Sequence, residues 1–476
     1  MNIADVEQPS VLILGLGREG QSTYRFLRAL FPEKILAVAD RLQFDALPHE
    51  SAELLRGDPR VKLHLGPDYL QDLTLYDVIV KAPGIPVTLP EYARAVAQGK
   101  RITSQTDLFF SNCSGKIVGI TGTKGKSTTA SLIYAILKRG GKKTHLVGNI
   151  GVPALDVLRE STPDTIFVYE LSSHQLEGLR QSPHVAVLLN IVPEHLDYYA
   201  SFEQYVAAKE NIARHQSADD WLVYNADHVV PREIAARSPG RKLACSLNAS
   251  DELAPPRCGL VGESVVCTLR AGHEEKILDA RDSPLPGRFN LLNISAAAAV
   301  GGLLGVQSNA IAEAVRRFQP LEHRLERVGT YNGVTYYNDA IATVPEATIA
   351  ALDTLGSDVE TILLGGADRH LDFSRLATRL VNSIVQTLIL FPSTGERIWE
   401  AIRAQEPAAE HRFKHFLVNG MEEAVALAKE HTAQGKICLH SPASPSFGLF
   451  RDYRDRGEQF KRFVRGGVEP QRHKEQ

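Results

Sequence analysis

Long apolar runs are what this chain of 476 residues most plainly lacks. No stretch approaches the roughly 18 uninterrupted apolar residues of a membrane span, so no spanning helix and no membrane partner are expected. Cysteine is scarce: Cys113, Cys245, Cys258, Cys267 and Cys438 are odd in number and show no C-x-x-C spacing. That argues against a zinc site or a disulfide framework and predicts reduced thiols. An excess of one charge is missing too, with 53 Lys and Arg against 56 Asp and Glu and a net charge of -3. Without a basic excess no nucleic-acid partner is expected. The opening residues Met1–Glu7 carry neither a basic start nor an apolar stretch, so the expected compartment is the cytoplasm.

What is present is the composition of an ordinary globular protein, 43% hydrophobic and 23% charged. At roughly 100–200 residues per domain the length suggests about three domains. Short β-branched runs alternate with longer helical patterns, which predicts an α/β fold. Strands are expected at Val11–Leu14, Ile35–Ala39 and Val78–Val80 in a first block closing near Phe110. A second block has strands at Ile117–Ile120, Ile166–Tyr169 and Val185–Leu189, a mixed region from about Asp219 to Asp282, and an alanine-rich helix near Ser295–Leu304. Gln319–Arg324 reads as the next boundary. Beyond it Thr361–Leu364, Thr387–Leu390 and Ile437–Leu439 are expected strands, followed by a frayed polar tail from Arg465. The expected domains are thus 1–110, 111–318 and 319–476.

The strongest local signal is Gly119-Ile120-Thr121-Gly122-Thr123-Lys124-Gly125-Lys126-Ser127-Thr128-Thr129. It leaves an expected strand and opens an expected helix, as a phosphate-binding loop must. Backbone N–H groups and the helix N-terminus would face phosphates, Lys126 would neutralise charge, and Ser127 could ligate magnesium. The usual spacing puts glycine at position 120, where Ile120 stands, with Gly119 one residue earlier. A plain glycine-rich turn with a surface lysine is the alternative. Gly122, Thr123, Lys124, Gly125, Lys126, Ser127 and Thr128 are therefore the candidate triphosphate contacts.

Open parallel sheets bind ligands beyond the carboxyl ends of their strands. Glu170 closes one such strand, where it could ligate magnesium or simply be a charge leaving a buried strand. His195 follows the next strand, and alone it would read as a surface histidine. Lys209 is more informative. Ser201 and Gln204 predict a capping box for a helix on which Phe202, Tyr205, Val206 and Ile212 share one face with Lys209. An ammonium there must snorkel, pair with an acid or be chemically altered.

With the Thr121–Ser127 loop, Gly148-Asn149-Ile150-Gly151, Glu170–Glu177, Asn190–Asp197, Ala207-Ala208-Lys209, Asn225-Ala226-Asp227, Gly287–Asn290 with Asn293, His323-Arg324 and Ser441–Ser444 in order, the chain resembles the Mur ligase family over nearly its full length. The likeness is strongest to the glutamate-adding branch. It implies three domains: a Rossmann-like N-terminal domain for a UDP-linked precursor, a central P-loop ATPase domain, and a Rossmann-like C-terminal domain for the amino acid. It implies ATP and Mg2+ as cofactors, UDP-N-acetylmuramoyl-L-alanine and glutamate as substrates, an acyl-phosphate intermediate, and a monomer. One magnesium would lie on Ser127 and Glu170, a second on His195 and a carbamylated Lys209. Lys126, Asn149, His195 and Lys209 would carry catalysis, with Asn149 and His195 contacting the acceptor. Asn293, His323, Arg324 and Asp339 would contact the nucleotide.

Gly15, Gly17 and Gly20 with Asp40 satisfy a dinucleotide-binding fingerprint, and alone they would favour an NAD-dependent dehydrogenase. The resemblance instead places UDP there, with Gly15, Gly17, Gly20, Asp40, Arg41, Pro83, Gly84 and Asn149 as contacts. A folylpolyglutamate synthase would share the central domain but is not expected to carry a full UDP domain. A non-catalytic nucleotide-binding regulator would not need Lys209 or His195.

The pattern departs from the family at Asn338–Val344, where Ala340, Ile341 and Val344 replace a serine, a lysine and an asparagine. Arg369 stands where the family has a lysine, and Tyr453 where it has a phenylalanine. Thr343, Arg369, Ser446 and Tyr453 are the expected amino-acid contacts. D-glutamate is the expected substrate. The same ligation with L-glutamate is the alternative, since a variant branch of the family adds that enantiomer.

Overall fold

The computed structural model describes residues 1–196, 198–248, 253–270 and 272–466. Asp197, at the end of the Asn190–Asp197 motif, and the tail beyond residue 466 lie outside them. Contacts divide the chain into two compact units, one built from Met1–Ser283 with Phe289–Phe318, the other from Pro284–Arg288 with the residues from Gln319 onward.

Among the described residues twenty strands form three sheets. The first contains β1 (Val11–Leu14), β2 (Leu36–Asp40), β3 (Val61–Leu65), β4 (Val78–Lys81) and β5 (Arg101–Ser104), in the order β3-β2-β1-β4-β5. All its pairings are parallel, and every residue of β1 and β4 is buried, the pattern of strands covered on both faces. Strand order reverses between β1 and β4, so a crevice opens beyond their carboxyl ends.

The second sheet contains β6 (Lys116–Thr121), β7 (Thr144–Gly148), β8 (Ile166–Glu170), β9 (Val185–Leu188), β10 (Trp221–Asn225), β11 (Arg241–Ser246), β12 (Arg257–Val261), β13 (Ser264–Arg270) and β14 (His273–Asp279). The run β7-β8-β6-β9-β10-β11-β12 is parallel, and β12-β13-β14 continues it antiparallel. The turn between β12 and β13 is the two-residue Gly262-Glu263, with Gly262 at φ 57°, a positive value suited to tight hairpins. The alanine-rich helix runs over Phe289–Leu303 and is buried at every position from Asn290 to Gly301, so it packs as an all-round apolar core helix.

The register pairs Cys258 directly with Cys267, 4.1 Å apart at Cα, and the two form a disulfide. This corrects the expectation of reduced thiols throughout. Cross-strand opposition joins them, a pairing that no short sequence spacing announces. Cys113, Cys245 and Cys438 are free.

The third sheet contains β15 (Glu326–Tyr331), β16 (Val334–Asn338), β17 (Val359–Gly365), β18 (Thr387–Phe391), β19 (Lys414–Leu417) and β20 (Ile437–His440). Its order is β15-β16-β20-β17-β18-β19, parallel except for the β15–β16 hairpin. Three parallel-rich sheets with intervening helices are the three-domain α/β architecture. No described helix is long and apolar enough to cross a membrane.

Candidate active site

At the carboxyl end of β1 the chain turns through Gly15, at φ 91°, into the helix Arg18–Leu30, whose N-cap is Gly17. A Cβ at Gly20 would sit 1.9 Å from the Gly15 carbonyl oxygen, so only glycine lets the helix start this close to the strand. Asp40, closing β2, accepts from Leu16 N–H at 2.8 Å and from Leu42 N–H at 3.0 Å. Its carboxylate therefore fastens the glycine turn. Arg41 is exposed beside it, and Pro83 and Gly84 follow β4 on the other side of the crevice. Apart from Asn149, which follows β7 of the second sheet, the residues assigned to UDP lie beyond the carboxyl ends of β1, β2 and β4.

Two side chains that sequence reasoning missed tie this turn to the second sheet. Arg18 donates to the carbonyls of Gly148 (3.4 Å), Asn149 (3.5 Å) and Gly151. Glu19 accepts from Gln175 Nε2, and its Oε2 is shielded with no partner. Burial lifts the Glu19 carboxyl to about 7, against the opposing pull of Gln175, Arg18 and Lys81.

At the centre of the second sheet β6 ends at Thr121 and the loop Gly122–Gly125 leads into the helix Lys126–Arg139. Gly125 caps that helix at φ 88°, and a Cβ there would lie 2.6 Å from Asn293 Oδ1. Asn293 thus presses on the loop, held by Thr129 Oγ1 at 3.2 Å. Asn190 supports it from β9: its carbonyl accepts from Thr123 N–H at 2.6 Å and its Oδ1 from Lys124 N–H at 2.9 Å. Lys126 Nζ donates to the Thr123 carbonyl at 2.9 Å; Ser127 and Thr128 follow in the first helical turn. Lys124 Nζ pairs with Glu194 at 2.6 Å. Burial pushes the Glu194 carboxyl up, but Lys124, Lys126 and His195 outweigh it and hold it below its ordinary value.

Glu170 closes β8 opposite Ile120, is 3% exposed, and leaves Oε2 buried without a hydrogen-bond partner. Asn149 N–H donates to the Glu170 carbonyl at 3.2 Å, which sets the Asn149 loop beside it. The helix Phe202–Arg214 starts at Ser201, whose hydroxyl accepts from Gln204 N–H; the return bond goes from Ala200 N–H to Gln204 Oε1, one residue earlier than a strict capping box. Lys209 on this helix is 1% exposed, 4.8 Å above the Tyr205 ring, and donates to the Gly122 carbonyl at 3.0 Å. Snorkelling is excluded. Burial, reinforced by the Lys126 charge, drives its amine well below the ordinary lysine value, despite Glu194 and Glu170. His195, at φ 57°, is exposed, its ring 6.1 Å from that of Tyr205 and 5.2 Å from that of His174.

An orphaned carboxylate oxygen and a hydroxyl at a helix start fit a hard divalent cation, which takes oxygen ligands; Lys209 would offer such oxygens only as a carbamate. In the second unit, His323 is buried at φ 62° and within 3.0 Å of Asn338 Nδ2, with Arg324 next to it. Burial, then the Lys461 charge, lowers the His323 imidazole. Asp339 accepts from Ser441 Oγ at 2.8 Å and Leu325 N–H at 3.1 Å, and burial lifts its carboxyl to about 7. Thr343 follows β16, Arg369 follows β17 with its guanidinium 5.8 Å from the Phe447 ring, Ser446 follows β20, and Tyr453 opens the helix Tyr453–Val464. Thr343, Arg369 and Ser446 thus sit on loops that leave the carboxyl ends of three adjacent parallel strands, and the Tyr453 ring lies 6.0 Å from that of His323.

A phosphate-loop cradle in a three-sheet α/β chain defines the class: a multidomain protein built around a nucleotide-type loop. Residues 9–104 match the MurD-like N-terminal domain of Mur ligases, residues 120–301 the Mur ligase middle domain, and residues 323–444 the Mur ligase glutamate ligase domain. The UDP-N-acetylmuramoylalanine–D-glutamate ligase of Symbiobacterium thermophilum is 38% identical over 96% of this chain and 98% of its own. That of Acetivibrio thermocellus is 36% identical over 85% and 86%. Among solved structures, UDP-N-acetylmuramate-alanine ligase MurC from Thermotoga maritima superposes with TM-score 0.58 at 17% identity, covering 96% of this chain and 99% of that one. MurF ligase from the same organism, in complex with ADP, gives 0.54 at 17% identity, covering 98% and 97%. The chain belongs to the Mur ligase family, and its N-terminal domain is of the MurD-like kind.

Proposed function

We propose that this protein joins D-glutamate to UDP-N-acetylmuramoyl-L-alanine at the expense of ATP, as a cytoplasmic step of peptidoglycan precursor synthesis that serves cell shape and division. The observation that carries the reading is the buried Lys209 amine and the orphaned Glu170 oxygen beside the phosphate loop, in a chain 38% identical to a curated ligase of that specificity. Neither the dehydrogenase nor the folylpolyglutamate synthase alternative accounts for a MurD-like domain at residues 9–104.

An amide forms from a carboxylate only after activation. The alanine carboxylate of the precursor attacks the γ-phosphorus of ATP, and the bond to the bridging oxygen of ADP breaks. The glutamate amine then adds to the acyl-phosphate carbon, loses a proton, and inorganic phosphate departs. Both partners in the first step are anionic. Lys126 and the loop N–H groups offset that repulsion and stabilise charge as it moves to ADP. Asn149 and His195 orient the acceptor. Ser127 and Glu170 would hold one Mg2+, and His195 with carbamylated Lys209 a second; bound there, Mg2+ supplies Lewis-acid charge neutralisation at the phosphates. A lysine amine reacts with CO2 only when neutral, and burial with the Lys126 charge shifts Lys209 toward that form. His323, Arg324, Asp339 and Asn293 are assigned to the nucleotide, and Thr343, Arg369, Ser446 and Tyr453 to glutamate.

L-glutamate is a second reading, favoured by one observation: Ala340, Ile341 and Val344, with Arg369, alter the loops assigned to the amino acid. A forked guanidinium would grip a carboxylate differently from an ammonium. The test is a ligation assay run in parallel with D- and L-glutamate, following ADP release and product mass. Product from D-glutamate supports the first reading and product from L-glutamate alone the second. No ADP release with either enantiomer refutes both.

A further inference from the structure

We infer that Arg456 is the positioning residue for the amino-acid subsite, an inference resting on the function proposed above. Its hydrogen bonds join the loops that present Thr343 and Ser446, and the loop that carries Arg369 packs against it.

Arg456 lies on the helix Tyr453–Val464, one turn after Tyr453, and is 0% exposed. Its Nη2 donates to the Ala340 carbonyl at 2.8 Å and to the Ser444 carbonyl at 3.0 Å. Those carbonyls belong to different loops. Ala340 leaves β16 three residues before Thr343, and Ser444 leaves β20 two residues before Ser446. A third loop lies against the same group: a Cβ on Gly366 would stand 3.2 Å from Nη1, and Gly366, at φ 151°, begins the turn that carries Arg369. The helix itself starts with Tyr453. One guanidinium therefore holds the backbone of two of the loops assigned to glutamate, lies against the third, and sits one turn along the helix that Tyr453 opens.

The arrangement is costly for a packing role alone. Nε and Nη1 of Arg456 are buried and donate to no atom of the described residues, and both ring nitrogens of the adjacent His440 are equally unpartnered. Burial, the Arg456 charge and His323 hold that imidazole well below its ordinary value, hence neutral. Burying polar groups without partners is unfavourable, and an apolar side chain of similar volume would avoid it. What an apolar side chain could not do is hold two loop carbonyls on one planar donor. A lysine ammonium could reach such carbonyls but would not fix their directions, because its donors rotate.

The experiment uses the full-length protein with Arg456→Gln and Arg456→Lys. In the ligation assay the KM for glutamate should rise roughly tenfold or more in Arg456→Gln, while the KM values for ATP and the UDP precursor stay within about twofold. Arg456→Lys should recover part of the loss. In parallel, amide hydrogen exchange should quicken at 340–346 and 441–449 in Arg456→Gln and stay unchanged in β17. A uniform fall in rate with every KM unchanged, and no local change in exchange, overturns the inference. Should the wild-type protein ligate neither enantiomer, the proposed function fails by itself, and the exchange measurement still decides whether Arg456 orders the loops. Should Arg456→Gln not fold, Arg456→Lys carries the same two measurements.

Discussion

Replacing Glu19 with glutamine should stabilise the first unit at neutral pH and change little near pH 4.5. The Glu19 carboxyl lies where the glycine turn meets the second sheet, accepting from Gln175 through one oxygen and from nothing through the other. Its side chain is half-buried, but the unpartnered oxygen is shielded from water. Burial lifts the carboxyl from 4.5 to about 7, so the folded protein holds the proton more tightly than the unfolded chain does. With a raised folded value, the group costs nothing below about pH 4.5, costs progressively more up to about pH 7, and is constant above. Taking the 4.5-to-7 interval at about 1.4 kcal/mol per pH unit gives a penalty of about 3–4 kcal/mol above neutrality. Glutamine keeps an acceptor for Gln175 and removes the ionisation. The two tryptophans, Trp221 in the first unit and Trp399 in the second, allow a clean assay. In a Trp399→Phe background, urea unfolding read through Trp221 should show Glu19→Gln gaining stability with rising pH and levelling off near 7. A difference independent of pH between about 4.5 and 8 would refute the burial argument.

Lys209→Ala should lower kcat by about 100-fold or more, and added acetate should restore part of it, since a small carboxylate can stand in for a carbamate. Unchanged turnover in that variant would remove Lys209 from the chemistry. Glu170→Gln should raise the Mg2+ concentration needed for half-maximal turnover about tenfold, read from a metal titration. Gly125→Ala places a Cβ against Asn293 Oδ1 at a positive φ and should weaken ATP binding at least tenfold by calorimetry, with unfolding stability lowered by about 1–2 kcal/mol.

Much of this arrangement was legible in the residues, for identifiable reasons. Apolar runs ended by Asp40, Gly122 or Glu170 mark strands whose carboxyl ends face a ligand, because a charge or a glycine there has no packing purpose. The expected strand spans agree with β1, β2, β4, β6, β8, β9, β17, β18 and β20 to within about two residues. The strands not foreseen have other signatures. β3, Val-Lys-Leu-His-Leu, is an edge strand alternating with polar residues, and β12–β14 are hairpin strands in a polar stretch broken by Gly262 and Gly272. The apolar helix face of Lys209 was legible but left snorkelling, pairing and modification open; its burial and its partner, the Gly122 carbonyl, needed the tertiary fold. Arg18, Glu19 and Arg456 escaped notice because Arg-Glu and Arg-Asp-Arg read as solvated charge. Only three-dimensional packing puts backbone carbonyls or a glutamine against them.

The Arg18 grip on the Gly148–Gly151 loop has a metrical consequence. It pins the start of one helix to the strand end that holds Asn149, so the span from the glycine turn to the phosphate loop belongs to the protein and not to its guest. If a nucleotide-sugar is seated at one end, the reach of its carboxyl tail is gauged against a fixed mark. Homologous acceptors one residue longer or shorter would overshoot or fall short of the γ-phosphate, so chain length would be selected without any contact to the extra residue.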